Sequence, residues 1–177
     1  MFIDLLRSRR SIRQFEGRPV EAEKVDLLVE AVLRAPSSRG SNPWEFVVVN
    51  DPAIINRLST AKPHGASFLA NAPLAIAVCA DPKKSDVWVE DVSIAAIILH
   101  LAATDLGLGS CWIQLRKRDY DDATTAGEFA AEVLGLPAEL VVSAIMAIGY
   151  PAQHPSPHPK ASLQRDKVSV NRYGNRE

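Results

Sequence analysis

Apolar and polar positions alternate in several distinct rhythms along the 177 residues, and each rhythm predicts an element. Phe2, Ile3, Leu5 and Leu6 fall on one side of a short amphipathic helix over residues 1–8. In EAEKVDLLVEAVLRAP, Val25, Leu28, Val29 and Val32 recur at three- and four-residue steps between Pro19 and Pro36, which predicts a longer helix ending at the second proline. WEFVVVN is aromatic and β-branched and reads as a strand, after the turn-forming SSRGSN. Asp51 and Pro52 have the cap and first-turn chemistry that opens a helix over DPAIINRLSTA.

The next rhythms are denser. PLAIAVCA is a continuous apolar run of strand length, so it belongs in the middle of a sheet covered on both faces. DVWVEDVSIAAIILHLAATDLGLG is too long for a strand and apolar on nearly every side from Ile94 onward, which predicts a buried helix closing at Gly107. SCWIQL reads as a strand, TAGEFAAEVLGLP as a helix stopped by Gly135 and Pro137, and ELVVSAIMAIGYP as a last strand. From Pro151 the pattern dissolves into AQHPSPHPKASLQRDKVSVNRYGNRE, a tail poor in core material that has to lie along a surface or a second subunit.

Composition narrows the function classes. Hydrophobic residues make up 47% and charged residues 23%, the profile of a folded globular protein, and the length suits a single domain over 1–177. A net charge of -1 argues against a nucleic-acid partner, which calls for a basic face. The apolar run at 94–109 is broken by His100, Thr104 and Asp105, short of the ~20 apolar residues that span a bilayer, so no membrane partner is expected. The acids and arginines of the first twenty residues leave no room for a secretory signal, and a cytoplasmic location is expected.

Most candidate motifs dissolve on inspection. GLGSCW lacks the third glycine of a dinucleotide loop, and its glycines end a helix where that fingerprint follows a strand. His154 and His158 are spaced for zinc on a helical face, but the prolines of HPSPHP forbid the helix, so no metal site is expected. Cys79 and Cys111 stand alone in apolar runs, and no cation neighbours Cys111 in sequence to activate it as a nucleophile. His100 reads as a satisfied core or interface residue. What remains is local charge: residues 1–18 carry Arg7, Arg9, Arg10, Arg13 and Arg18 against Asp4 and Glu16. Guanidinium groups bind phosphate oxygens bidentately and the Ser11 hydroxyl adds a donor, so RSRRSIR is either an anion-binding arm or a solvated basic turn.

Taken with APSSRGSNPWEFVVV at 35–49, LGLGSCWI at 106–113, MAIGYP at 146–151 and KVSVNRYG at 167–174, this arm resembles the FMN-dependent nitroreductase family over nearly the whole chain. The resemblance implies an α+β fold, a mostly antiparallel central sheet surrounded by helices, in an intertwined homodimer with FMN at the subunit interface. It implies that Arg9, Arg10, Ser11 and Arg13 grip the flavin phosphate, ribityl chain and pyrimidine edge, and that Pro36, Ser37 and Ser38 reach the isoalloxazine from the other subunit. Gly40 and Asn42 belong to that same loop, standing where many relatives have Asn and Gln. Gln114 and Leu115 match the strand end whose backbone amide approaches flavin N5, and Lys160 is the tail's candidate phosphate contact. The implied activity is an NAD(P)H oxidoreductase: hydride passes from NADH or NADPH to flavin N5, then on to a nitroaromatic, quinone or similar small-molecule acceptor. No side chain is nominated as a catalytic acid or base. A specialised flavin enzyme, for dehalogenation or flavin fragmentation, and a non-catalytic FMN-binding protein are the alternatives.

Overall fold

The computed structural model describes residues 1–176 and realises each expected element close to its expected bounds. Helices α1 (Phe2–Ser8) and α2 (Ala22–Leu33) precede strand β1 (Trp44–Val49), helix α3 (Pro52–Leu58) and strand β2 (Leu74–Ala80). Helix α4 (Trp88–Asp105), strand β3 (Gly109–Gln114), helix α5 (Ala126–Leu134) and strand β4 (Val141–Gly149) follow. Local chemistry sets several boundaries. The Asp51 carboxylate accepts from the Ala53 amide at 2.8 Å, Thr125 and Glu128 form a reciprocal capping box, and Gly135 closes α5 in the left-handed region. Two short 3-10 turns, Ser38–Gly40 and Ser67–Asn71, carry no periodicity long enough to have been read.

The strands form one antiparallel sheet in the order β1-β2-β4-β3. The apolar runs PLAIAVCA and ELVVSAIMAIGYP thus supply its two central strands, as full burial on both faces requires. Alternation along β2 divides its side chains between two cores. Leu74, Ile76 and Val78 pack with Leu28 and Val32 of α2 and with Val92, Ala96 and Leu99 of α4. Ala75, Ala77 and Cys79 pack against Ile55 and Leu58 of α3 and Ala126 and Ala130 of α5. Helices cover both faces, the small residues of β2 allowing α3 and α5 to sit close. Cys79 and Cys111 are free and buried, and burial pushes the Cys79 thiol up to about 12.

A polar latch joins the sheet to the segment entering α2. The Tyr150 hydroxyl donates to Glu21 Oε2 at 2.5 Å and accepts from Lys24 Nζ at 2.8 Å, and the same ammonium donates to the Leu106 carbonyl at 3.0 Å. The Arg18 guanidinium lies 3.3 Å from the centre of the Tyr150 ring. The Tyr150 hydrogen bond, ahead of the other neighbours, holds the Glu21 carboxyl below the usual range. Because Tyr150 is only 8% exposed, Tyr150→Phe removes a buried hydroxyl that bonds both Glu21 and Lys24. The substitution is expected to lower stability by about 1–2 kcal/mol in urea denaturation, with the arginine-rich arm unaffected.

Candidate functional site

The arginine-rich arm owes its position to β3, an edge strand with one side open. Ser11 forms a parallel bridge with Ser110, and the Ile12 amide donates to the Ser110 carbonyl at 3.0 Å. The arm then crosses the end of β4, where Phe15 pairs with Pro151 and the Glu16 amide donates to the Tyr150 carbonyl at 2.8 Å. Contact at the crossing is close. A Cβ on Gly109 would stand 2.7 Å from Ile12 Cβ, and one on Gly149 would stand 3.1 Å from Phe15 Cδ1 as well as 2.6 Å from Pro73 Cδ, so glycine at 109 above all lets the arm lie flat on the sheet.

Beyond Ser110 the open edge of β3 carries donors and acceptors that β4 does not use. The Gln114 carbonyl faces outward and accepts from Lys62 Nζ at 3.0 Å, and strand alternation puts the backbone of Trp112 on that same edge. The Gln114 side chain is held on both sides, accepting from Trp112 Nε1 at 2.9 Å and donating to the Arg116 carbonyl at 2.8 Å. Leu115 is turned the other way. Its amide donates to the Ser143 carbonyl at 3.1 Å and its side chain is fully buried, so of the two residues expected to present an amide to a ligand, Gln114 holds the open edge.

Cys111 marks where the cations gather. Its thiol is pushed up by burial, and the opposing influences come from Arg13, the Ser11 hydroxyl and Lys62. Sequence neighbours gave this cysteine no cation; the fold supplies two, from the arm and from the α3–β2 connection. Burial lowers the Lys62 pKa, followed by the charge of Arg118. Lys62 therefore belongs to the site although it stands in a featureless polar stretch, AKPHG, with no motif to reveal it.

The five arginines separate in the fold. Arg7 pairs with Asp4 at 2.9 Å and Arg18 with Glu16 at 3.1 Å, both on the surface. Arg10 donates to the Ser156 carbonyl in the proline-rich tail, and Arg13 lies 5.8 Å from the Phe68 ring centre. Arg9 reaches α4, where its Nη1 donates to His100 Nε2 at 2.9 Å, and the other ring nitrogen of His100 bonds the Ser110 hydroxyl. Lys160 stands in an exposed tail turn and, among the described residues, makes no side-chain hydrogen bond or ion pair.

The second candidate segment, 36–42, is a compact loop at the opposite end of α4. The Ser38 amide donates to Asp91 Oδ1 at 2.8 Å, and the other oxygen of this buried carboxylate accepts from Ser85 Oγ at 2.8 Å. Ser37 Oγ accepts from the Asn42 amide at 2.9 Å and donates to the Asn42 side chain at 2.7 Å. Arg39, Gly40 and Asn42 all adopt positive φ, and Arg39 is held there by Asp86 at 2.6 Å. Beside the loop, Ser41 Oγ and Trp44 Nε1 are buried without a hydrogen-bond partner among the described residues. Loop and arm are separated within one chain: their anchors Asp91 and His100 lie nine positions apart on α4 (91 to 100), or about 14 Å along the helix.

A family model described as the nitroreductase family matches residues 6–62 and 58–150, which takes in the arm, the loop and the whole sheet. The chain belongs to the nitroreductase family. An FMN-dependent nitroreductase from Clostridium difficile R20291 superposes with a TM-score of 0.95 at 45% identity, covering 97% of this chain and 99% of that one. A protein of Archaeoglobus fulgidus that carries the provisional name NADH dehydrogenase/NAD(P)H nitroreductase is 37% identical over 153 residues, 84% of each chain. A provisionally named nitroreductase from Desulfovibrio desulfuricans, solved in complex with FMN, superposes with a TM-score of 0.73 at 29% identity over 92% of this chain and 94% of that one. The α+β architecture, an antiparallel sheet enclosed by helices, is thus the nitroreductase fold that the sequence resemblance implied.

In this nitroreductase the arm's seat on β3 depends on Gly109. Gly109→Ala is expected to lift Ile12 from the sheet edge, costing about 1–3 kcal/mol in chemical denaturation. Faster hydrogen exchange at the Ile12 amide would report the lifting; unchanged protection there would show that the arm tolerates the methyl group.

Proposed function

We propose that this nitroreductase is an NAD(P)H oxidoreductase that binds flavin mononucleotide between two subunits. The observation that carries the reading is the open edge of β3, where Ser11, Arg13 and Lys62 gather around Cys111, with Arg9 at the α4 end of the same arm. The donor set fits the ligand: guanidinium groups and a hydroxyl suit a phosphate and a ribityl chain, and an ammonium suits the electron-rich dione edge of the ring. Arg10 and Lys160 complete the phosphate side once the tail takes up its place on a partner. The similarity to the FMN-dependent C. difficile protein and to the D. desulfuricans protein solved with FMN supports this choice of cofactor.

Bound flavin would supply hydride-transfer chemistry between NADH or NADPH and a nitroaromatic, quinone or similar acceptor. The chain's own residues bind and tune. Arg13 and Lys62 would hold positive charge near the cofactor and so favour its reduced, more negative form, and the open backbone edge at Gln114 would support it. No side chain need move a proton.

In this reading two subunits complete the site: the loop carrying Pro36, Ser37, Ser38, Gly40 and Asn42 is anchored at Asp91, about 14 Å along α4 from the arm's anchor at His100. Antiparallel packing of two α4 helices brings the loop of one subunit to the arm of the other. The exposed apolar side chains of α4, Ile94 at 40% and Ile97 at 47%, together with Leu27, Leu33 and Phe2, supply the contact, and the exposed tail with Val168 and Val170 embraces the partner.

Purified protein is expected to carry about one flavin per chain, its visible absorbance bleached by NADH or NADPH without oxygen and restored by a nitroaromatic or quinone. A colourless protein that takes up no added FMN would end this reading, and flavin that NAD(P)H cannot bleach would leave a passive binder. Ile97→Glu is expected to convert the dimer to monomer in light scattering and to release flavin with it.

A further inference from the structure

His100 is the most unusual residue of α4: an imidazole 7% exposed among Ala96, Leu99 and Ala103, which are fully buried. Such a ring survives in an apolar core only if both nitrogens are bonded, and both are. Arg9 cannot give up its proton, so its Nη1 is the donor and His100 Nε2 the acceptor. That assignment places the ring proton on Nδ1, which donates to the Ser110 hydroxyl. Burial first, then the charge of Arg9, lowers the His100 pKa to about 4, so the ring stays neutral and an acceptor throughout the physiological range.

The chain of contacts runs from α4 through β3 to the arm. Ser110 is held by its own backbone pairing to Ser11 and Ile12, and it fixes the ring plane of His100; His100 in turn fixes one amino group of Arg9. A guanidinium is planar and rigid, so bonding one Nη1–H determines the direction of its remaining donors. Arg9 is half-buried and, among the described residues, has no carboxylate partner to hold it by other means.

We propose that His100 is a positioning residue for cofactor binding: by accepting from Arg9 it aims the free edge of that guanidinium at the phosphate of the mononucleotide. The inference rests on the flavin reading above and adds to it a residue that touches no ligand. His100 is not an acid or base in this role, since its two nitrogens are occupied by Arg9 and Ser110. Its contribution is selective for the phosphate, because Arg9 sits at the α4 end of the arm while Arg13 and Lys62 sit beside Cys111 on the strand.

The test compares FMN with riboflavin, which lacks the phosphate, binding to full-length protein stripped of flavin, followed by quenching of flavin fluorescence. His100→Leu is expected to weaken FMN about tenfold, the loss of one charge-assisted hydrogen bond, while riboflavin affinity changes less than about twofold. His100→Gln, whose amide can accept from Arg9 and donate to Ser110, is expected to restore most of the FMN affinity. Ser110→Ala keeps the imidazole and removes only its anchor; a loss of roughly threefold for FMN is expected, and this variant carries the test if the leucine variant misfolds. Equal weakening of FMN and riboflavin, or FMN binding at wild-type strength in both His100→Leu and Ser110→Ala, would overturn the positioning role while leaving the flavin site standing. Wild-type protein that binds neither compound would overturn the flavin reading itself and this inference with it.

Discussion

Two buried polar side chains interrupt the buried, mostly apolar face of α4, and the need to satisfy them fixes both the loop and the arm. Asp91 and His100 lie on α4 among residues that touch no water. An unpartnered carboxylate or imidazole there would cost several kcal/mol, so each recruits a segment of irregular chain. Asp91 takes the amide of Ser38 and fixes the loop; His100 takes Arg9 and Ser110 and fixes the arm. The helix that contributes to one core is therefore also the ruler that spaces the arm and the loop. Its outer face carries the exposed Ile94 and Ile97, the contact assigned above to the proposed second subunit.

The arginine cluster that stands out in the sequence is less uniform in space than its density suggests. Two of its members are spent on surface ion pairs, which contribute little, and one is tied to the tail. Arg9 and Arg13 remain, and the fold adds Lys62 from a distant part of the chain. Local positive charge in the sequence thus has two structural outcomes: among the described residues, some of the arm's cations stay free, and others clamp the arm to the protein or to its own neighbours.

Elements were legible where one periodicity ran long enough to exceed its neighbours. The unbroken apolar run of β2 announced a central strand, the length of α4 excluded a strand, and Asp51, Gly135 and the prolines marked ends through backbone chemistry that acts over two or three residues. The resemblance of RSRRSIR and APSSRGSNPW to a family named the fold and pointed to both site segments. Tertiary pairing was not legible. The partnership of Asp91 with Ser38, of His100 with Arg9, and of Lys62 with the Gln114 carbonyl joins residues roughly fifty to ninety positions apart, and no local pattern encodes it. The outward turn of Gln114 and the inward turn of Leu115 likewise follow from the irregular pairing at the end of β3, where Leu115 and Arg116 both donate to Ser143.

The open side of β3 has one more consequence. A strand with free amides and carbonyls is a template on which a foreign strand can assemble, the starting point of amyloid-like growth. Lys62 seals the Gln114 carbonyl with a hydrated ammonium, and Ser11 and Ile12 occupy the strand's other end. A lysine on an exposed edge is a common natural safeguard against such stacking. The same ammonium that suits a small electron-rich guest therefore also guards the protein's colloidal integrity whenever that guest is absent.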